Sequence, residues 1–254
     1  MASGSEDRER LRAEREAKAA SQAARERRNR RLWQLGATLV VAAALVGAAI
    51  AISNAGKHKA VAPAKTQALF AGIPQQGIVL GNPSAPLTMM EFADLQCPIC
   101  REYTVTVFPA LVRRYVRAGR MKIVLEDLAF LGDDSVKAGV AAGAAGLQNK
   151  LWNFAERFYQ EQGVENSGYA TDAFVRHIAM GVPGLDAARL LADRTKPAVL
   201  QQIQQARAQA KALGVSDTPR FFLQRGGGRP SELQYSSFDV SQFSRAIDAA
   251  LGSG

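Results

Sequence analysis

The sequence predicts an α/β sandwich with a helical insert, preceded by one transmembrane helix. Three observations carry this. An uncharged apolar run near the N-terminus has the length of a bilayer span. After it, hydrophobic periodicity reads strand, helix, strand, helical block, strand, strand, helix. The helical block itself, residues 135–214, repeats apolar side chains at three- and four-residue spacing.

The chain has 254 residues, 47% hydrophobic and 22% charged, enough for one sizeable domain plus appendages. Residues 1–31 carry ten Lys/Arg against six Asp/Glu and one large apolar residue beyond the initiator, Leu11. Such a segment buries too little apolar surface to offset its ordering entropy, so it reads as a solvated, partly helical basic tail. Its charge suits anionic lipid headgroups beside a membrane. With no aromatics interleaved among the basic residues, nucleic acid is not an expected partner. Residues 32–53 hold the apolar run, whose only polar side chain between Leu35 and Ile52 is Thr38. Eighteen helical residues span about 27 Å, close to the hydrocarbon thickness of a bilayer. Trp33 sits at its start, and the basic residues before it place the N-terminus in the cytoplasm and the remainder outside. A cleaved signal peptide is the alternative, but its charged region is usually only a few residues long. Either reading exports the rest of the chain into an oxidising compartment.

Residues 54–75, short of large apolar side chains and containing two prolines, read as an extracytoplasmic linker. The domain proper is expected over 76–252. "LTMMEFAD" reads as a buried strand, followed by a helix starting at Cys97 with Pro98 at its first position. That helix should kink at Pro109 and stop at Gly119, before the second strand "RMKIVLEDLAF". About four helices fill the insert; "TPRFFLQ" and "SELQYSSF" then form a terminal hairpin around "RGGGRP", and "DVSQFSRAIDAALG" closes the fold as an amphipathic helix.

Both cysteines of the chain lie in "EFADLQCPIC", three positions apart. A structural staple over so short a loop removes little unfolded-state entropy, roughly 2 kcal/mol against about 4.7 for a 100-residue loop. A zinc site needs four ligands, and the chain offers only His58 and His177 besides this pair, so no metal is expected. A redox pair needs one activated thiolate and a second thiol close by. At a helix start, unsatisfied N–H groups and the macrodipole lower the pKa of Cys97, and Cys100, one turn on, is placed to resolve a mixed disulfide.

"GNPSAPLTMMEFADLQCPICREY" resembles the active-site segment of DsbA-like proteins of the thioredoxin superfamily, especially the membrane-anchored bacterial ones. "LQNKLWNFAERFYQEQ" resembles that family's helical insert and "SDTPRFFL" its second signature. The resemblance implies a thioredoxin-like fold and an extracytoplasmic thiol–disulfide oxidoreductase, with Cys97 as nucleophile and Cys100 as resolving thiol. It implies that Pro219 follows a cis bond beside the disulfide, that Thr218 offers backbone hydrogen bonds to substrate, and that Glu91 handles the resolving thiol's proton. Substrates would be exported proteins with cysteines, and a membrane quinone-linked partner, VKOR- or DsbB-like, would reoxidise the pair; no cofactor is expected. Between the cysteines stand Pro98 and Ile99, where the most oxidising relatives have a histidine second. Ile99 gives the thiolate no such help, so a milder oxidant is expected; the direction is read as oxidase, with a reductase or isomerase of the same fold, or a catalytically silent tethered binding module, as alternatives. His177 reads as a surface or satisfied core residue, and Trp152, Phe154, Phe158 and Tyr159 as core of the insert. "RGGGRP" opens no helix and is no phosphate loop.

Overall fold

The structure, a computed structural model, describes residues 68–252. The expected basic tail, transmembrane helix and most of the linker lie outside the described residues. Among the described residues no helix is long and apolar enough to cross a membrane.

Six strands form one sheet in the order β1-β2-β4-β3-β5-β6. Its centre is β3, Leu87–Ala93, parallel to β4, Met121–Asp127, and antiparallel to β5, Arg220–Arg225. A central strand is covered on both faces, which explains why β3 reads as an almost unbroken apolar run. Its period-two alternation sends Met89 and Ala93 to the larger hydrophobic cluster, and Met90 and Phe92 to a smaller one. The short hairpin of β1, Gln75–Gln76, and β2, Val79–Leu80, pairs on the outer side of β4. The sequence pattern did not reveal it, because two-residue strands have no periodicity to detect. At the other edge β6 is only Ser231–Glu232, shorter than the run "SELQYSSF" suggests.

Helix α1, Pro98–Thr106, begins where expected. The expected kink at Pro109 is instead a break: α1 ends at Val107, α2 covers Phe108–Leu111, and a π-helical turn, Val112–Val116, follows. Proline has no N–H to donate, and its ring crowds the carbonyl four residues back, so Pro109 is accommodated in the first turn of a new helix. Gly119, at φ +68°, ends the segment as anticipated.

The insert has five helices where about four were expected: α3 (Asp133–Gly146), α4 (Leu151–Gln160), α5 (Asp172–Met180), α6 (Ala187–Asp193) and α7 (Pro197–Leu213). The first expected helix divides because Asn149 takes a left-handed conformation, φ +55°, that no helix interior tolerates. The closing helix α8, Val240–Leu251, packs Phe243 and Ile247 onto the sheet. Aromatic rings fasten α1 to this frame: Tyr103 lies 4.4 Å from Phe221 and 5.5 Å from Phe243, while Phe108 stacks on Trp152 at 5.4 Å.

Small residues let α3 approach its neighbours closely. A Cβ on Gly139 would meet Asp127 Oδ2 at 2.6 Å and the Ala129 Cβ at 2.9 Å. Gly139→Ala is therefore expected to lower stability by about 1–3 kcal/mol despite alanine's better helix propensity, measured by denaturant unfolding. Unchanged or increased stability would show that this close approach can relax at no cost.

Candidate active site at the start of α1

Strand β3 ends at Ala93, and the three residues after it form a buried turn that delivers Cys97 to the N-cap of α1. The turn is organised by Asp94, which sequence reasoning missed. Its carboxylate accepts from the N–H of Gln96 (2.9 Å) and the Ser135 hydroxyl (2.7 Å) on one oxygen. The other oxygen accepts from the N–H groups of Phe130 (2.9 Å) and Leu131 (3.2 Å). The Asp94 carbonyl accepts from the Cys97 N–H at 3.0 Å and the Tyr159 hydroxyl at 3.1 Å. A signal was present: an aspartate whose side chain bonds the backbone two residues on is a common turn device.

At the N-cap, Cys97 Sγ lies 3.5 Å from the Cys100 N–H, which points at it, and 3.7 Å from the Thr218 carbonyl oxygen. Both cysteines are free thiols. Cys97 is 6% exposed and Cys100 is fully buried, so only the first presents an edge to solvent. The Cys97 thiol is lowered from 9.0 to about 6, chiefly by a hydrogen bond from the Cys100 side chain. Burial opposes this, and the backbone N–H groups of Cys100 and Ile99 and the Thr218 side chain reinforce it. Burial drives Cys100 the opposite way, well above an ordinary thiol, and its bond to Cys97 and the charge there add to the rise. One sulfur is thus prepared as a thiolate and its neighbour held as a thiol.

The remaining expected residues gather around this pair, though not all at one distance. The Thr218–Pro219 peptide bond is cis, with Pro219 buried and its carbonyl accepting from the Tyr235 hydroxyl at 2.9 Å. Pro98 and Ile99 are exposed beside Cys97. Glu91 is buried on β3, on the face that carries α1, and burial, then the charge of Glu156, raises its carboxyl to about 8. The charges of Glu91 and of Cys100 both bear on the buried Tyr159 hydroxyl. His177 lies on the surface, 2.7 Å from Glu161, and the aromatic residues of α4 are core. Among the described residues no cluster of side chains is suited to hold a metal ion.

The end of α4 and the loop after it reach back to the cysteine turn. Gln162 Nε2 donates to the carbonyls of Leu95 (2.7 Å) and Cys97 (3.3 Å). Gln96 and Asn166 exchange bonds, and Arg101 Nε donates to the Tyr159 carbonyl at 2.7 Å.

A strand delivering two cysteines to a helix start, opposite a cis-proline loop, defines a thiol–disulfide exchange site on a thioredoxin-like frame. The sequence profile of the thioredoxin family matches residues 74–249, and the chain belongs to that family. Within it, the chain is a thiol–disulfide oxidoreductase. It is 27% identical over 225 residues, 87% of this chain and 97% of the relative, to "Probable disulfide bond formation protein D" of Bacillus anthracis. The structure of BdbD from Bacillus subtilis superposes with a TM-score of 0.60 at 20% identity, covering 71% of this chain and 97% of that one. A thioredoxin-like oxidoreductase from Silicibacter pomeroyi superposes with a TM-score of 0.55 at 30% identity, covering 74% and 98%.

Alkylation of the reduced protein by iodoacetamide is expected to follow a single ionisation with a midpoint near pH 6, assigned to Cys97. Cys100 should stay unmodified until the protein unfolds. A midpoint at about 8.5, the value of an ordinary thiol, would contradict this description of the site.

Proposed function

We propose that the protein introduces disulfides into exported proteins, with Cys97 as nucleophile and Cys100 as resolving thiol. The observation that carries this is the opposed ionisation of the two thiols, Cys97 lowered to about 6 and Cys100 raised. A stabilised thiolate favours the reduced form of the pair, and a pair that favours reduction oxidises its substrates. In the forward reaction a substrate thiolate attacks the Cys97 sulfur of the Cys97–Cys100 disulfide. Cys100 leaves as a thiolate and takes a proton from Glu91. A second substrate thiolate then attacks the substrate sulfur of the mixed disulfide, and Cys97 departs as a thiolate. Two electrons pass from substrate to enzyme. Thr218 and Pro219 supply the wall against which the substrate segment lies, and exposed Pro98 and Ile99 flank its approach.

The organisation that suits this reading has a basic cytoplasmic tail over 1–31, a transmembrane helix over 32–53 and an extracytoplasmic linker that is shorter than the expected 54–75, because Leu69, Phe70 and Ile73 are buried in the core of the redox domain and β1 starts at Gln75. The charge-free run of residues 35–52 supports it, as does the basic cluster just before that run. A membrane quinone-linked partner of the VKOR or DsbB kind would return the electrons to the membrane. One observation favours a second reading, a reductase or isomerase: Ile99 is exposed and its side chain brings no hydrogen-bond donor to the Cys97 thiolate.

The reduction potential separates the two. With Cys97 near 6, the oxidase reading expects equilibration with glutathione at a value between about −270 mV, typical of a thioredoxin, and about −120 mV, typical of DsbA. A potential at or below about −270 mV would replace the oxidase reading with the reductase one. No exchange with glutathione at all would leave a tethered binding module.

A further inference from the structure

Beneath α1, a cavity of about 10 Å³ is lined by Glu91, Thr104, Phe108, Trp152, Glu156 and Tyr159, among others. Counted by the positions its centre can occupy, one water needs roughly 10–15 Å³. Glu91 enters from the central strand and Glu156 from α4, and both are buried, at 2% and 6% exposure. On each, Oε2 has no hydrogen-bond partner, although a buried carboxylate oxygen left unpaired is costly. Two carboxylates from different elements that share a cavity, each with an unpaired oxygen, cannot both carry charge cheaply. One proton held between them, directly or through a water, removes the conflict.

The two are not equivalent. Glu156 Oε1 accepts from Gln160 Nε2 at 3.0 Å, and Gln160 is only half-buried, so Glu156 is the outward member. Glu91 is the inward one, on the central strand. We propose that Glu156 shares a proton with Glu91 across this cavity and passes the proton of the resolving thiol between Glu91 and the surface at Gln160. Glu156 acts through Glu91 and is a positioning residue; the assignment rests on the redox reading above.

In reoxidation the step balances as follows. Cys97 thiolate attacks a disulfide of the oxidant, giving a mixed disulfide and one released thiolate. Cys100 then gives its proton to Glu91 and attacks the Cys97 sulfur. The bond between Cys97 and the oxidant breaks, the oxidant's second sulfur leaves as a thiolate, and the proton moves from Glu91 to Glu156 and out to water.

Burial raises Glu156 to about 7 and Glu91 to about 8, and the Glu156 charge contributes to the latter. The other titratable groups facing the pair are Tyr103 and Cys100 from α1 and Tyr159 from α4, with Asp94 and Asp127 beyond Tyr159 at the strand ends. Both tyrosines are pushed well above their ordinary range by burial and remain protonated. Arg157, adjacent in sequence, is engaged by Glu161 at 2.9 Å, and Glu126 faces the opposite side of the sheet by its register.

The test follows the mixed disulfide formed when the reduced full chain meets oxidised glutathione, quenching at intervals and weighing the species by mass spectrometry across pH 5–9. Removing the Glu156 charge makes Glu91 a stronger acid. In Glu156→Gln the midpoint for decay of the mixed disulfide should therefore fall by about one unit and its plateau rate by roughly 3- to 10-fold. Formation of the mixed disulfide, which depends on Cys97, should be unchanged. Glu156→Asp, which keeps a carboxylate, should restore the midpoint. A decay profile in Glu156→Gln that matches the unmodified protein would overturn the proposal while leaving the redox reading intact. Should Glu156→Gln not fold, Glu91→Leu, which removes the donor of the shared proton, gives the reciprocal reading: the carbon-13 carboxyl titration of Glu156 moves up if the pair is coupled, and stays in place if it is not. If no mixed disulfide forms in the unmodified protein, both the proposal and the redox reading fall.

Discussion

The buried carboxylate of Asp94 is the interaction on which the rest of the site depends. Four donors from three stretches of chain converge on its two oxygens, and its carbonyl takes two more. Hydrogen bonds to a charged group are worth about 1.5–3 kcal/mol each, and in a buried turn no water can replace them. The end of β3, the loop after β4 and the first turn of α3 are thereby held to one point. The N–H of Cys97 is part of the same arrangement, so the backbone that carries the Cys97 sulfur is fixed by this turn.

That placement gives the two thiols opposite environments within one helical turn. Cys97 stands at the cap, where free N–H groups point towards it. Cys100 lies inside the protein, where burial and its neighbour Cys97 outweigh the hydrogen bonds with Asp94 and Thr218. The difference arises from position along the helix axis more than from sequence around the sulfurs. Ile99 contributes an N–H and no side-chain donor, so the thiolate is stabilised by backbone and by Cys100 itself. A site built in this way is tuned by helix geometry, and the dipeptide only trims it.

The central fold was legible because its signals are strong and local. An apolar strand, a proline one residue inside a helix, and two cysteines at a helix start each have one physical reading. The helical insert was visible as a block, yet its division at Asn149 was not, since a left-handed residue inside a helical pattern leaves the periodicity intact. Pro109 marked an interruption, but a local pattern cannot tell a kink from a restart. Glu91 was found through resemblance. Glu156 was not, because a lone glutamate in an amphipathic helix ordinarily faces water, and only the tertiary fold turns it inward against the central strand. Asp94 escaped for a related reason: its four donors come from residues 2 to 41 positions away, a convergence that no sequence window contains.

The contacts of Gln162, Asn166 and Tyr159 with the cysteine turn have a dynamic consequence. Insertions in a fold often behave as lids, opening with free energies well below that of global unfolding. Here α4 and the loop after it supply hydrogen bonds to the carbonyls of Asp94, Leu95 and Cys97, so swinging them aside would release the very backbone that presents Cys97. By that coupling, the insert and the cysteine turn are expected to open together, as a single cooperative unit.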